Sequence, residues 1–219
     1  MFLRIGAILS PHERSAILET LAKAEFEDGR RTAGWHAKQV KRNEQAGSGP
    51  VIDTVLAKVK QALLAHDVFV AAARPKNFVK LLVSRYGPGM TYGTHVDDAL
   101  MDGQRTDLSF TLFLSDPAHY KGGELVIEDS LEDRSIKLQA GELILYPSAT
   151  LHRVEPVTQG MRLAVVGWLR SYVRDPARRE VLFDLELTLR ELFERDGKTA
   201  IFDRLVKTRT NLLRLWAED

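Results

Sequence analysis

FVKLLVSRY at 78–86, LSFTLFLS at 108–115, GELVIED at 123–129, SIKL at 135–138, GELILYPS at 141–148, TLHRVEP at 150–156 and RLAVVGWLRSYV at 162–173 share a period of two. That period belongs to extended chain, in which successive side chains point to opposite faces. Seven or eight short strands within a hundred residues, punctuated by Gly, Pro and Asp, predict an antiparallel double sheet of the jelly-roll type.

The helical period flanks this block on both sides. Ser10-Pro11-His12-Glu13 reads as an N-cap, a first-turn proline and a capping-box glutamate, followed by Ile17, Leu18, Leu21 and Ala24 at helical spacing. Val51, Ile52, Val55, Leu56, Val59, Leu63 and Leu64 mark a second helix, while 29–34 and 41–50 read as loops. Beyond Pro176 a stripe of Val181, Leu182, Leu185, Leu189, Leu192 and Phe193 predicts another helix, and Ile201 to Trp216 predict one or two more. The fold class expected is mostly β with flanking helices. It comprises a jelly-roll core over 1–173 with two N-terminal helices, and a helical C-terminal extension over 174–219.

Composition narrows the chemistry. With 31 basic against 30 acidic residues the net charge is +1, which argues for no nucleic acid and no membrane as partner. The absence of cysteine rules out thiolate metal sites, so any metal must sit on His, Asp or Glu. The N-terminal MFLRIGAILSPHER is too short in apolar residues for a secretory leader, and the longest apolar runs fall short of a membrane span, so a cytoplasmic protein is expected.

His95 and Asp97 sit two apart in HVDD, so an extended backbone puts both on one face and Asp98 on the other. His152 lies on a separate strand that one sheet face could bring alongside. Two imidazoles and one carboxylate on one side of an octahedral iron leave three positions for a bidentate 2-oxo acid and dioxygen. Arg162 begins the strand RLAVVGWL, where 162, 164, 166 and 168 share a face. Its fork suits the far carboxylate of a dicarboxylate, although a surface ion pair would use the same residue.

The string Tyr86-x-x-Gly89-x-x-Tyr92-x-x-His95-x-Asp97, then Gly122-Gly123-Glu124-Leu125, Pro147-Ser148-x-x-x-His152-x-Val154-x-Pro156-Val157, Arg162 and Trp168 resembles the prolyl 4-hydroxylase-like dioxygenases. Within them the chain resembles the bacterial PKHD-type hydroxylases along its whole length, including the C-terminal extension. The resemblance implies a double-stranded β-helix that uses Fe(2+), the co-substrate 2-oxoglutarate and O2, with L-ascorbate as reductant, on a small-molecule or peptide substrate. It implies that His95, Asp97 and His152 are the iron ligands, catalytic as a unit. Arg162 then matches the 2-oxoglutarate anchor, and Tyr86 the strand tyrosine whose hydroxyl reaches the co-substrate. The sequence departs from some animal prolyl hydroxylases at Leu112 or Phe113, where they carry a second co-substrate tyrosine. Keeping Asp97 separates it from the halogenases of the wider superfamily, which have a small residue there.

Two other readings use the same ligands. A cupin-like module would bind iron without turnover, and a zinc hydrolase would need a general base, with Glu124 or Glu155 as candidates. Further expectations are that 98–107 is a connector or pocket lid, and that the apolar stripes of the C-terminal helices either pack on the sheet of their own chain or dock a second subunit in a homodimer. Gly87, Gly89, Gly93, Gly122 and Gly123 are expected in positive-φ turns, Tyr92 in core packing, and Trp168 in core packing or, since it shares the strand face of Arg162, on the wall of the co-substrate pocket. Arg30, Arg31, Lys38, Lys41 and Arg42 make the N-terminal loops basic, as a solvated face or for an anionic substrate.

Overall fold

The computed structural model describes residues 1–219. Its larger sheet has seven antiparallel strands in the order β1 (Leu3–Ile5), β13 (Leu143–Pro147), β9 (Leu108–Phe113), β16 (Arg162–Ser171), β5 (Pro75–Tyr86), β4 (Glu44–Ala46) and β2 (Phe26–Asp28). Facing it is a sheet of five, β12 (Arg134–Ile136), β11 (Leu125–Ile127), β14 (His152–Val154), β6 (Thr91–His95) and β3 (Lys41–Arg42). Two small ribbons complete the β structure: β7 (Leu100–Met101) with β8 (Gln104–Arg105), and β10 (Tyr120–Gly122) with β15 (Val157–Gly160).

Alternation along the strands sorts the side chains into two cores. From β13, Leu143 and Leu145 face outward into the main core, while Ile144 and Tyr146 face into the sandwich. On β16, Leu163, Val165 and Leu169 meet the main core, and Arg162, Val166 and Trp168 line a cavity between the sheets. The main core is closed by α1 (Pro11–Leu21), α2 (Pro50–Ala65) and α3 (Asp67–Ala73), which bury Ile17, Leu21, Val59, Leu63 and Phe69 against it. The capping box of α1 forms as expected: the Glu13 carboxylate accepts from the Ser10 backbone N–H at 2.8 Å, and the Ser10 hydroxyl accepts from the Glu13 N–H.

Several expectations need correction. Three helices, not two, precede the β block. Between α2 and α3 the chain turns at His66, whose backbone is extended, and no Gly or Pro marks that break. The stretches expected as loops at 29–34 and 41–50 contain 3-10 turns and the strands β3 and β4, elements too short to carry a period of their own. The 98–107 segment is a β-ribbon whose turn residues Asp102 and Gly103 both have positive φ, as a two-residue hairpin turn requires. Of the glycines, Gly89, Gly122 and Gly123 have positive φ, but Gly87 and Gly93 do not. Gly93 lies within β6, and a Cβ there would meet that of Val40 at 2.8 Å.

At the C-terminus α4 (Pro176–Asp196) and α5 (Ala200–Trp216) form a helical hairpin. Its buried face is Arg179, Leu182, Phe183 and Leu189; Val181 and Phe193 of the expected stripe stay exposed. Phe193 instead pairs with Phe202 across the hairpin at 5.2 Å. No helix is long and apolar enough to cross a membrane.

Candidate active site

Strands β6 and β14 are antiparallel neighbours with His152 directly opposite His95, which sets the two rings 4.2 Å apart. Strand β6 ends at His95, yet the Asp97 side chain returns to the same face. One donor atom each from His95, Asp97 and His152 all lie within 4.8 Å of one another. The Asp98 carboxylate turns away, lying against Gly34.

Each histidine has its tautomer fixed by the backbone. His95 Nδ1 is 2.9 Å from the Gly93 carbonyl and His152 Nδ1 is 3.0 Å from that of Thr150. A carbonyl oxygen only accepts, so both Nδ1 atoms carry the hydrogen and both Nε2 lone pairs are left for a metal. Asp97 is oriented too. Ser109 Oγ donates to its Oδ2 at 2.6 Å, and Ser148 Oγ, 2.8 Å away, donates in turn to Ser109, whose one proton is committed. Asp97 Oδ1 stays 3.9 Å from His152 Nε2. Removing such an orienting partner costs about 10–100-fold in metal affinity, so Ser109→Ala should weaken Fe(II) binding by that factor with the fold intact. Competitive metal titration with circular dichroism checks this, and unchanged affinity would show that Ser109 does not hold the ligand.

Burial pulls the His95 imidazole down to about 3; the neighbouring charge of His152 acts in the same direction, and the Gly93 hydrogen bond opposes both. The ring is thus neutral at pH 7. An unfolded histidine protonates near 6.5 and the folded one only near 3, so the unfolded state binds more protons between those values. Metal-free protein should therefore lose stability as pH falls through that window, by up to about 1.4 kcal/mol per pH unit from this group. Urea unfolding at neutral and mildly acidic pH measures it, and His95→Gln should flatten the slope. An identical slope in the variant would contradict the assignment.

Arg162 stands opposite Tyr86 in the β16–β5 register and is 1% exposed. Its guanidinium lies 5.2 Å from the rings of Tyr86 and Phe113, and Nε and Nη1 have no hydrogen-bond partner. The Tyr120 hydroxyl is likewise buried and unpartnered. No carboxylate lies within ion-pair distance of Arg162, so the cavity wall holds a buried cation without a counter-charge. Left alone, that is costly; a bound carboxylate would complete it. Burial raises the Tyr86 hydroxyl above its usual range, opposed by the charge of Arg162, and burial raises Tyr146 further.

The cavity, of about 310 Å³, has the triad and Arg162 on its wall together with Tyr86 and Trp168. Tyr92, expected in the core, lines it instead and stacks on His95 at 3.6 Å, while Trp168 is on the cavity wall, the second of the two places its strand face allowed. At the position of the missing second tyrosine, Phe113 faces Arg162 and Leu112 lies in the outer core. Glu124 and Glu155 do not line the cavity and are held by Lys137 and Arg153, so neither can act as a base beside a metal here. Sequence reading missed Ser109, Ser148 and Tyr146, although the alternation that placed Arg162 also turns Tyr146 inward, where its ring meets His152 edge-on at 5.2 Å.

The family model of the 2OG-Fe(II) oxygenase superfamily matches residues 81–170, and that of the PKHD-type hydroxylase C-terminal domain matches 176–218. PKHD-type hydroxylases of Picosynechococcus sp. and Maricaulis maris are 52% and 50% identical, covering the full length of both chains. Among solved structures, a prolyl-4-hydroxylase of Pseudomonas putida is 21% identical with a TM-score of 0.56, over 78% of this chain and 92% of that one. HygX of Streptomyces hygroscopicus, solved with nickel and 2-oxoglutarate bound, is 15% identical with a TM-score of 0.57, over 78% and 84%.

Proposed function

Because this chain belongs to the PKHD-type hydroxylases of the 2OG-Fe(II) oxygenase superfamily, its reaction class is an iron(II)- and 2-oxoglutarate-dependent hydroxylation, and we propose the residues that perform it. His95, Asp97 and His152 hold the iron on one face, and Arg162, with Tyr86 beside it, anchors the far carboxylate of 2-oxoglutarate. The observation that carries this reading is a fully buried arginine with unpartnered donors, in the same cavity as two imidazoles and a carboxylate whose donor atoms converge.

The residues fit such a centre chemically. The set is all nitrogen and oxygen, with an Nε2 lone pair open on each ring and one carboxylate, as suits ferrous iron with open positions. With iron held there, dioxygen would be the oxidant: 2-oxoglutarate would give up two electrons and leave as CO2 and succinate, which takes up one oxygen atom, while the other enters the substrate. The protein's own share is positional. Gly93 and Thr150 fix the ring tautomers, Ser109 and Ser148 fix the carboxylate, and Arg162 sets how far the co-substrate reaches. Val166 walls the space between, keeping bulk water away from it. We further propose L-ascorbate as the reductant that keeps the iron ferrous. Residues 1–173 are read as the oxygenase unit and 174–219 as its helical extension.

Chelator-stripped protein should regain 2-oxoglutarate binding on addition of iron(II), and equally with manganese(II), since an N/O site discriminates weakly between them. Tight binding without any metal would contradict the assignment.

A further inference from the structure

Lys41 is 5% exposed, though it stands among residues whose charge reads as a solvated face. Strand β3 pairs it with Tyr92 on β6. Its ammonium lies 4.9 Å over the Tyr92 ring, which itself stacks on His95, and its one hydrogen bond runs to Thr32 Oγ1 at 3.2 Å. No carboxylate comes within ion-pair distance of it: Asp28 is taken by Arg30, and Asp97 by Ser109 and the metal position. Lys80 lines the same cavity and forms no ion pair either. Trp168 buries an Nε1–H that has no acceptor.

The sheet register separates this group from Arg162. On β16 and β5, Arg162 faces Tyr86 at one end and Trp168 faces Lys80 at the other, six residues along β5, or about 20 Å. Across β9, Trp168 faces Ser109, the residue that holds Asp97. Lys80, Trp168 and Ser109 thus form one row beside the triad, and Lys41 joins it from the opposite sheet. Lys41 and Lys80, neither of them in an ion pair, thus line the same cavity from its two sheets, Lys80 at the end away from the co-substrate anchor.

Building on the site assignment above, we propose that the primary substrate carries an anionic group, a carboxylate or a phosphate, which docks on Lys41 and Lys80. That contact holds the bond to be hydroxylated at the triad. A neutral substrate would leave the buried ammonium of Lys41 without a counter-charge, so the pocket selects for acids by the cost of the alternative as well as by attraction.

Calorimetric titration of the protein loaded with manganese(II) and 2-oxoglutarate, using benzoate, phenyl phosphate and neutral benzamide as probes, tests this. At least one anion should bind about tenfold more tightly than the amide without displacing 2-oxoglutarate, as expected for a charge-assisted contact. Which anion wins distinguishes carboxylate from phosphate. Lys41→Gln and Lys80→Gln should each erase most of that preference and Lys41→Arg should keep it, with 2-oxoglutarate affinity unchanged throughout. Lys80, half-buried on its strand, preserves the test if Lys41→Gln fails to fold. Equal binding of all three probes, anions that compete with 2-oxoglutarate, or a preference intact in the glutamine variants would overturn the proposal. Failure of the parent protein to bind 2-oxoglutarate would instead sink the underlying assignment.

Discussion

Asp97→Ala is expected to abolish hydroxylation and to lower iron affinity by well over tenfold, while Asp98→Ala keeps the metal; loss of an orienting partner alone already costs about 10–100-fold. The two residues are chemically identical neighbours, and only geometry separates them. Asp97 offers an oxygen within 4.8 Å of both histidine donor atoms and is held by Ser109, whereas the Asp98 carboxylate lies against Gly34 on the turn preceding β3. Iron titration of both variants beside the parent, with circular dichroism as a control on folding, gives the answer. Equal loss in both, or loss only in Asp98→Ala, would show that the ligand has been misassigned.

The second large effect is at Arg162, where function and stability should move in opposite directions. Arg162→Met should weaken 2-oxoglutarate binding by about 2–4 kcal/mol, because a charge-assisted bidentate pair is lost and the far carboxylate of the co-substrate is left unpaired in a closed pocket. Metal affinity should hardly change. In the absence of ligand, however, Arg162 is a 1% exposed cation with two unpartnered nitrogens, and replacing such a charge by an apolar side chain of similar volume is commonly neutral or stabilising. The ligand-free variant should therefore melt at or above the temperature of the parent and gain nothing from added 2-oxoglutarate. A variant that binds the co-substrate normally, or that unfolds outright, would mean that the guanidinium serves the fold and not the ligand.

These residues differ in how far the sequence exposed them. The inward facing of Arg162 was legible because it follows from alternation, a local rule, and β16 is long enough to display it, whereas Asp97 lies beyond the end of β6 and was placed beside His95 by spacing alone. The pairing of His152 with His95 was legible only as an option, since register between distant strands is set by the whole sheet. Lys41 illustrates what was hidden. In sequence it belongs to a basic, glycine-flanked stretch, and nothing local shows that two residues of β3 add an edge to the smaller sheet and carry that ammonium inside. Ser109 and Ser148 are similarly silent, being small hydroxyls whose importance comes from a carboxylate brought to them by another part of the chain. Helix α3 was lost for a different reason: seven residues following directly on α2 extend its helical period without punctuation.

The central claim is that one cavity holds the metal on three residues and the co-substrate on a fourth. The most direct measurement is an anomalous-difference map from crystals of the protein grown with manganese(II) and 2-oxoglutarate. The account predicts a single strong cavity peak bonded to Nε2 of His95, Nε2 of His152 and a carboxylate oxygen of Asp97, with the far carboxylate of 2-oxoglutarate on the guanidinium of Arg162. A metal bound through other residues, or a co-substrate lying away from Arg162, would contradict it.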